Sequence, residues 1–194
     1  MKTKLLSWVA LALVLAEVGL FLLSWLLSAM MTEGVRSLLS NEGIRWFVGS
    51  FCEVMQSPQL IWLLLLSMSG GSLEASGLLR HRPQTYRERV ALRLVLFLLI
   101  LYIGVWGLLV LAPHAVLLSA DGALWPSAFS HGLIPAVAFG GVLLSVAYGA
   151  MAGNFRSLPD VFASLARGIS WSAPLLVLYV MFAQFYASLR FVFM

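Results

Sequence analysis

Few residues in this chain have the chemistry to do more than pack, and the costliest of them is Glu17. It sits near the middle of an apolar run from Leu5 to Met30. A charged side chain at that depth in lipid costs about 2.5–3.5 kcal/mol on insertion scales, so its carboxyl is either neutral or faced by a polar partner. Counting from the ends of the other apolar runs puts Tyr102, Ser145 and Gln184 near the same depth, where some of them are expected to satisfy it. Two roles stay open: a proton-coupling carboxylate, or a protonated hydrogen-bonding partner that fixes helix packing.

The second irregularity is Ser67-Met68-Ser69-Gly70-Gly71-Ser72, which interrupts a leucine-rich run with small and polar side chains. Small residues let helices approach closely in lipid, where packing drives association, and this is the favoured reading of Gly70 and Gly71. The alternative is a broken helix that presents backbone dipoles to a substrate or ion. Glu74 lies nearer the end of this run, toward water or toward the arginines that follow.

No enzyme chemistry is visible. His81, His114 and His131 have no second ligand at metal-binding spacing, and no nucleophile elbow, phosphate loop or pair of catalytic carboxylates occurs. The histidines lie in or near the connections, so a haem or quinone pocket inside the bundle is not expected, and no cofactor is implied. Cys52 is the only cysteine, which rules out an internal disulfide.

The elements that must hold these residues are five apolar runs: Leu5 to Met30, Gln59 to Leu78, Ala91 to Ala112, Leu133 to Ala152 and Trp171 to Arg190. Each is close to the roughly 20 residues that about 30 Å of hydrocarbon requires. With 61% hydrophobic and 10% charged residues in 194, little polar surface remains for water. The first run exceeds the roughly 7–15 residues of a signal-peptide core, so it is expected to span. Lys2, Lys4, the cluster from Arg80 to Arg93, Arg156 and Arg167 fall on one side of this pattern. Arg36, Arg45 and Arg190 fall on the other. Basic residues are retained in the cytoplasm, which places the N-terminus inside, and the arginine cluster is read as facing anionic lipid rather than nucleic acid.

Two amphipathic segments join these runs. Ile44, Phe47, Val48, Phe51 and Met55 recur at helical spacing opposite Glu42, Arg45, Glu53 and Gln56, with Ser40 or Asn41 as cap and Pro58 as stop. Leu158, Val161, Phe162 and Leu165 form a shorter stripe, opened by Ser157-Leu158-Pro159-Asp160 and expected to close at Arg167-Gly168. Both suit struts in the membrane plane, with contact to a partner subunit as the alternative.

The stretch Val35-Arg36-Ser37-Leu38-Leu39-Ser40-Asn41-Glu42-Gly43-Ile44-Arg45-Trp46-Phe47 resembles the segment after the first transmembrane helix of the AbgT family. These are bacterial transporters linked to p-aminobenzoyl-glutamate and to export of sulfonamide-like antimetabolites. Gly71, Leu73, Glu74, Ser76, Gly77 and Leu78 are similar to that family's Gly-x-Ala-Glu-x-Ser-Gly-Leu. A second block resembles a later region: Pro126 to Phe129, Gly132 to Pro135, Tyr148-Gly149, Ala152-Gly153, Ser157, Asp160-Val161 and Phe182-Ala183-Gln184-Phe185. The two blocks keep the family order over about two thirds of the chain. Family members are more than twice as long, and their middle section, their later region and both re-entrant hairpins have no counterpart in these residues. The resemblance therefore carries no substrate or ion ligand onto a numbered residue. What it implies is the outer frame and a tendency to dimerise.

The expectation is an all-α, polytopic protein of a bacterial inner (cytoplasmic) membrane, one integral domain over residues 1–194, with five spans and short interfacial helices. Its function is either transport of p-aminobenzoyl-glutamate-like aromatic conjugates, with Glu17, Gly70, Gly71 and Gln184 near the pathway, or a non-transporting scaffold. Its partners are the lipid bilayer and a second copy or another membrane protein, and not nucleic acid.

Overall fold

In lipid a backbone can satisfy its polar groups only within its own helix or a closed barrel, and leucine-rich runs take the first route. The computed structural model describes residues 2–31, 34–79, 85–111 and 128–194, and these contain helices and no strand. The elements are α1 (Lys2–Ala29), α2 (Asn41–Gly49), α3 (Phe51–Met55), α4 (Pro58–Ser76), α5 (Tyr86–Leu111), α6 (Ala128–Ala152) and α7 (Leu158–Phe193). Arg80, His81 and Arg82 of the basic connection, together with His114, Pro126 and Ser127, lie outside the described residues.

Among the described residues, four helices are long and apolar enough to cross a membrane: α1, α5, α6 and α7. The apolar runs predict five. The helix that departs is α4, whose 19 residues include Ser67, Ser69, Gly70, Gly71, Ser72, Glu74 and Ser76 in its second half and dilute the leucines of its first. A second correction concerns α7. Arg167-Gly168 does not end a short helix; the chain runs helically for 36 residues, through Gly168 and Pro174.

The chain divides into two compact units, one of residues 1–61 with 173–194 and one of residues 62–172. In the first, the segment after α1 runs back over that helix. The Leu38 N–H donates to Ser24 Oγ at 3.1 Å, the Ser24 hydroxyl donates to the Phe21 carbonyl at 2.9 Å, and Arg36 N–H donates to the Val192 carbonyl at 3.0 Å. Leu20, Leu38 and Val192 form the core there, flanked by Phe185 and Leu189. Ser40 then caps α2 by accepting from Gly43 N–H at 3.0 Å.

The amphipathic stripe divides differently from the expected one. Ser50 separates α2 from α3, and α2 packs through Gly43, Trp46 and Phe47. Trp46 stacks on Phe191 at 4.4 Å and Phe47 meets Phe21 edge-on at 5.1 Å. Ile44, Val48 and Phe51 face outward.

In the second unit α5 packs along α6. Gly153, at φ +84°, reverses the chain after α6. Phe155 N–H can then donate to the Gly149 carbonyl at 2.9 Å, and the Phe155 ring lies on Gly149.

Large apolar side chains such as Trp8, Leu15, Phe97, Ile100, Val137 and Phe182 point outward, while Ser24, Ser72, Ser76, Ser145, Ser188 and Gln184 are buried. Water-soluble proteins do the reverse. The chain is an all-α, polytopic membrane protein.

Ser24→Ala leaves the Leu38 N–H buried without an acceptor, since both residues are 0% exposed. A loss of about 1–3 kcal/mol is expected, read as a lower melting temperature of the purified protein in detergent.

Candidate functional site

Glu17 faces the C-terminal half of α7. The Ser188 hydroxyl donates to Glu17 Oε1 at 2.6 Å, whereas Glu17 Oε2 is shut away with no hydrogen-bonding partner among the described residues. Gln184, one helical turn before Ser188, is 7% exposed, and both its amide oxygen and its amide nitrogen are unpartnered. Of the residues expected around Glu17, Gln184 lies on the α7 face that meets it. Ser188 is the direct partner, and its spacing of four from Gln184 is the signal in the sequence that could have found it.

Tyr102 and Ser145, also expected near the depth of Glu17, belong to the second unit and have partners within it: the Tyr102 hydroxyl donates to the Ala136 carbonyl at 2.8 Å, and Ser145 bonds Val142 O at 2.8 Å and Ser72 Oγ at 2.5 Å.

The glycine pair resolves into two unlike positions on an unbroken helix. A Cβ on Gly71 would lie 2.5 Å from Gly168 Cα and 2.6 Å from the Ser164 carbonyl oxygen, and a Cβ on Gly168 would run into the backbone of Ser67. The α4 and α7 backbones thus touch through Ser67, Gly71, Ser164 and Gly168, the small-residue spacing of four that membrane helices use for close approach. Gly70 has open space around it. On its other side α4 meets α6, where Ser69 lies against Gly141, Ser72 bonds Ser145, and Asn154 Nδ2 donates to the Ser76 carbonyl at 2.6 Å.

Several grooves lie elsewhere. One of about 480 Å³ is lined by Val54, Ser57, Gln59, Tyr179, Phe182 and Arg190, with Ser57 and Tyr179 hydroxyls bonded to each other. Another of about 570 Å³ sets Arg36, Arg45, Glu42 and Glu53 around Trp46 and Phe191. A third, about 210 Å³, has Asn154, Asp160 and Arg167 at its rim. None of these is lined by Glu17, Gly70, Gly71 or Gln184. Among the described residues no group of three or more His, Cys, Asp and Glu side chains is gathered for a metal ion. Compared with known protein families, characterised proteins and solved structures, the chain matches none.

The two glycines make a paired test. Gly71→Ala forces the α4 and α7 backbones apart and should cost about 1–3 kcal/mol, lowering the melting temperature in detergent. Gly70→Ala meets nothing and should stay within about 0.5 kcal/mol of the parent.

Proposed function

We propose that this chain is an AbgT-type protein of a bacterial inner membrane, N-terminus in the cytoplasm, that takes part in moving p-aminobenzoyl-glutamate-like aromatic conjugates and pairs with a second copy of itself. Two residue blocks in family order support the family. The observation that carries the transport role is the Glu17, Ser188 and Gln184 cluster. Ionisable and polar groups held inside membrane helices are expensive, and where they persist they mark pathways more often than packing. In this reading Glu17 and Gln184 lie beside the route, and the close α4–α7 contact at Gly71 is the fixed frame against which other parts move.

A second reading has its own support. The backbone contact at Gly71 and Gly168 is tight, which suits a scaffold that docks a partner subunit without transporting. Flux separates the two readings. The protein is purified in native detergent, its assembled mass is measured, and uptake of labelled p-aminobenzoyl-glutamate into liposomes is followed. Transport by the parent and a loss of about ten- to hundredfold in Glu17→Gln, the worth of one charge-assisted hydrogen bond, support the first reading. Absent uptake, or a variant with unchanged rate and pH profile, removes it.

The proposed orientation has a built-in probe. Cys52 is exposed on α3, and a membrane-impermeant maleimide should label it in intact spheroplasts. Labelling only after permeabilisation reverses the orientation.

A further inference from the structure

Beside α2 lies a charged groove that the transport reading leaves unused. It occupies about 570 Å³ within the first unit, inside the roughly 300–1,000 Å³ typical of small-molecule sites. Its walls carry Arg36 from the segment after α1, Glu42 and Arg45 from α2 and Glu53 from α3, with Trp46 and Phe191 as its aromatic side. The two rings stack at 4.4 Å, and the Arg36 guanidinium sits 5.9 Å from the Phe191 ring centre, which holds that charge over the aromatic wall. Among the described residues no ion pair joins the four charged side chains. The lining is neutral overall, yet it presents both signs unpaired.

Location narrows the occupant. Phe191 lies in the last turn of α7, a helix long and apolar enough to span, and the Arg36 N–H donates to the Val192 carbonyl at 3.0 Å. The groove therefore sits where a span ends and headgroups begin, the level that tryptophan favours. At about 3.6 residues per turn, Glu42, Arg45 and Gly49 share one side of α2, Ile44 and Val48 the adjacent side, and Gly43 and Phe47 the side packed on protein. Ile44 and Val48 are 49% and 73% exposed, so an apolar strip runs beside the charges. An occupant that matches all of this carries an anion, a cation and hydrocarbon. We infer that the groove holds the headgroup of an aminophospholipid, its phosphate on Arg36 and Arg45, its primary ammonium on Glu42 and Glu53, and acyl chain along Ile44 and Val48. A headgroup without the ammonium leaves two carboxylates facing a phosphate, and a quaternary ammonium has no N–H to donate to them. The same carboxylates oppose a dianionic aromatic conjugate, so this inference stands whether or not the chain transports one.

The test uses the full chain in detergent. Phosphatidylethanolamine, phosphatidylglycerol and phosphatidylcholine with matched acyl chains are offered in equal amounts, and native mass measurement reads which of them stays bound. Phosphatidylethanolamine should be retained about fivefold over each of the others, the upper range for one exposed ion pair. Glu53→Gln should remove the preference over phosphatidylglycerol, and Arg36→Gln should lower retention of all three lipids by about the same factor. Both side chains are exposed, so the melting temperature should stay near that of the parent. Glu42→Gln and Arg45→Gln repeat the two changes on α2. Equal retention of the three lipids overturns the inference, as does a preference that survives in both Glu53→Gln and Glu42→Gln. Glycerophosphoethanolamine, the same headgroup without acyl chains, should displace the lipid only at about a hundredfold higher concentration, the effect of about three or four buried methylenes. Displacement at equal concentration assigns the groove to a soluble ligand and overturns the lipid. Liposome uptake is a separate measurement, so transport and lipid binding can fail independently.

Discussion

Inside a bilayer a hydroxyl has no water to turn to, and the cheapest partner is the carbonyl one turn back on its own helix. Ser76, Ser145, Ser164 and Ser172 all take that route, bonding Leu73, Val142, Val161 and Ile169 carbonyls at 2.6–3.1 Å. Each side chain is thereby satisfied and stays small, and neighbouring backbones can approach. The contacts of α4 with α6 and with α7 follow from this. Leucines in place of these serines would hold the helices apart, and hydrocarbon offers no hydrophobic force to push them together again.

Glu17 and Gln184 break that economy. Their longer side chains cannot fold back onto the preceding turn as a serine does, and the one serine beside them satisfies a single carboxylate oxygen. Polar groups in the second unit close on one another, as Ser72 does with Ser145 and Tyr102 does with the Ala136 carbonyl. Among the described residues, buried side-chain atoms without a hydrogen-bonding partner thus belong to Glu17 and Gln184 alone.

Much of the helical order is legible in the sequence because composition and length decide it: apolar runs of span length, Ser40 at a helix start, Pro58 opening the next helix and Gly71 in a small-residue patch. The parts that mislead do so for physical reasons. Arg167-Gly168 carries the local signature of a helix end, yet Gly168 is needed where α4 crosses, and tertiary packing keeps the helix going. The apolar stripe of α2 reads as its buried face, whereas in lipid an outward apolar stripe costs nothing and the aromatic contacts of Trp46 and Phe47 decide which side faces the protein. Ser188 escapes notice beside Gln184 because depth along a helix is readable from span ends, while azimuth depends on a neighbour the sequence does not reveal.

At 1.5 Å per residue, α7 is about 54 Å long, well beyond about 30 Å of hydrocarbon. Its first turns, with Asp160 holding the Arg156 and Ser157 amides and Arg167 exposed, belong with headgroups. The apolar length that remains is taken up by tilt, by a bend of the kind Pro174 permits, or by local thickening of the bilayer. Membrane thickness thus reaches this helix as a choice among those three responses.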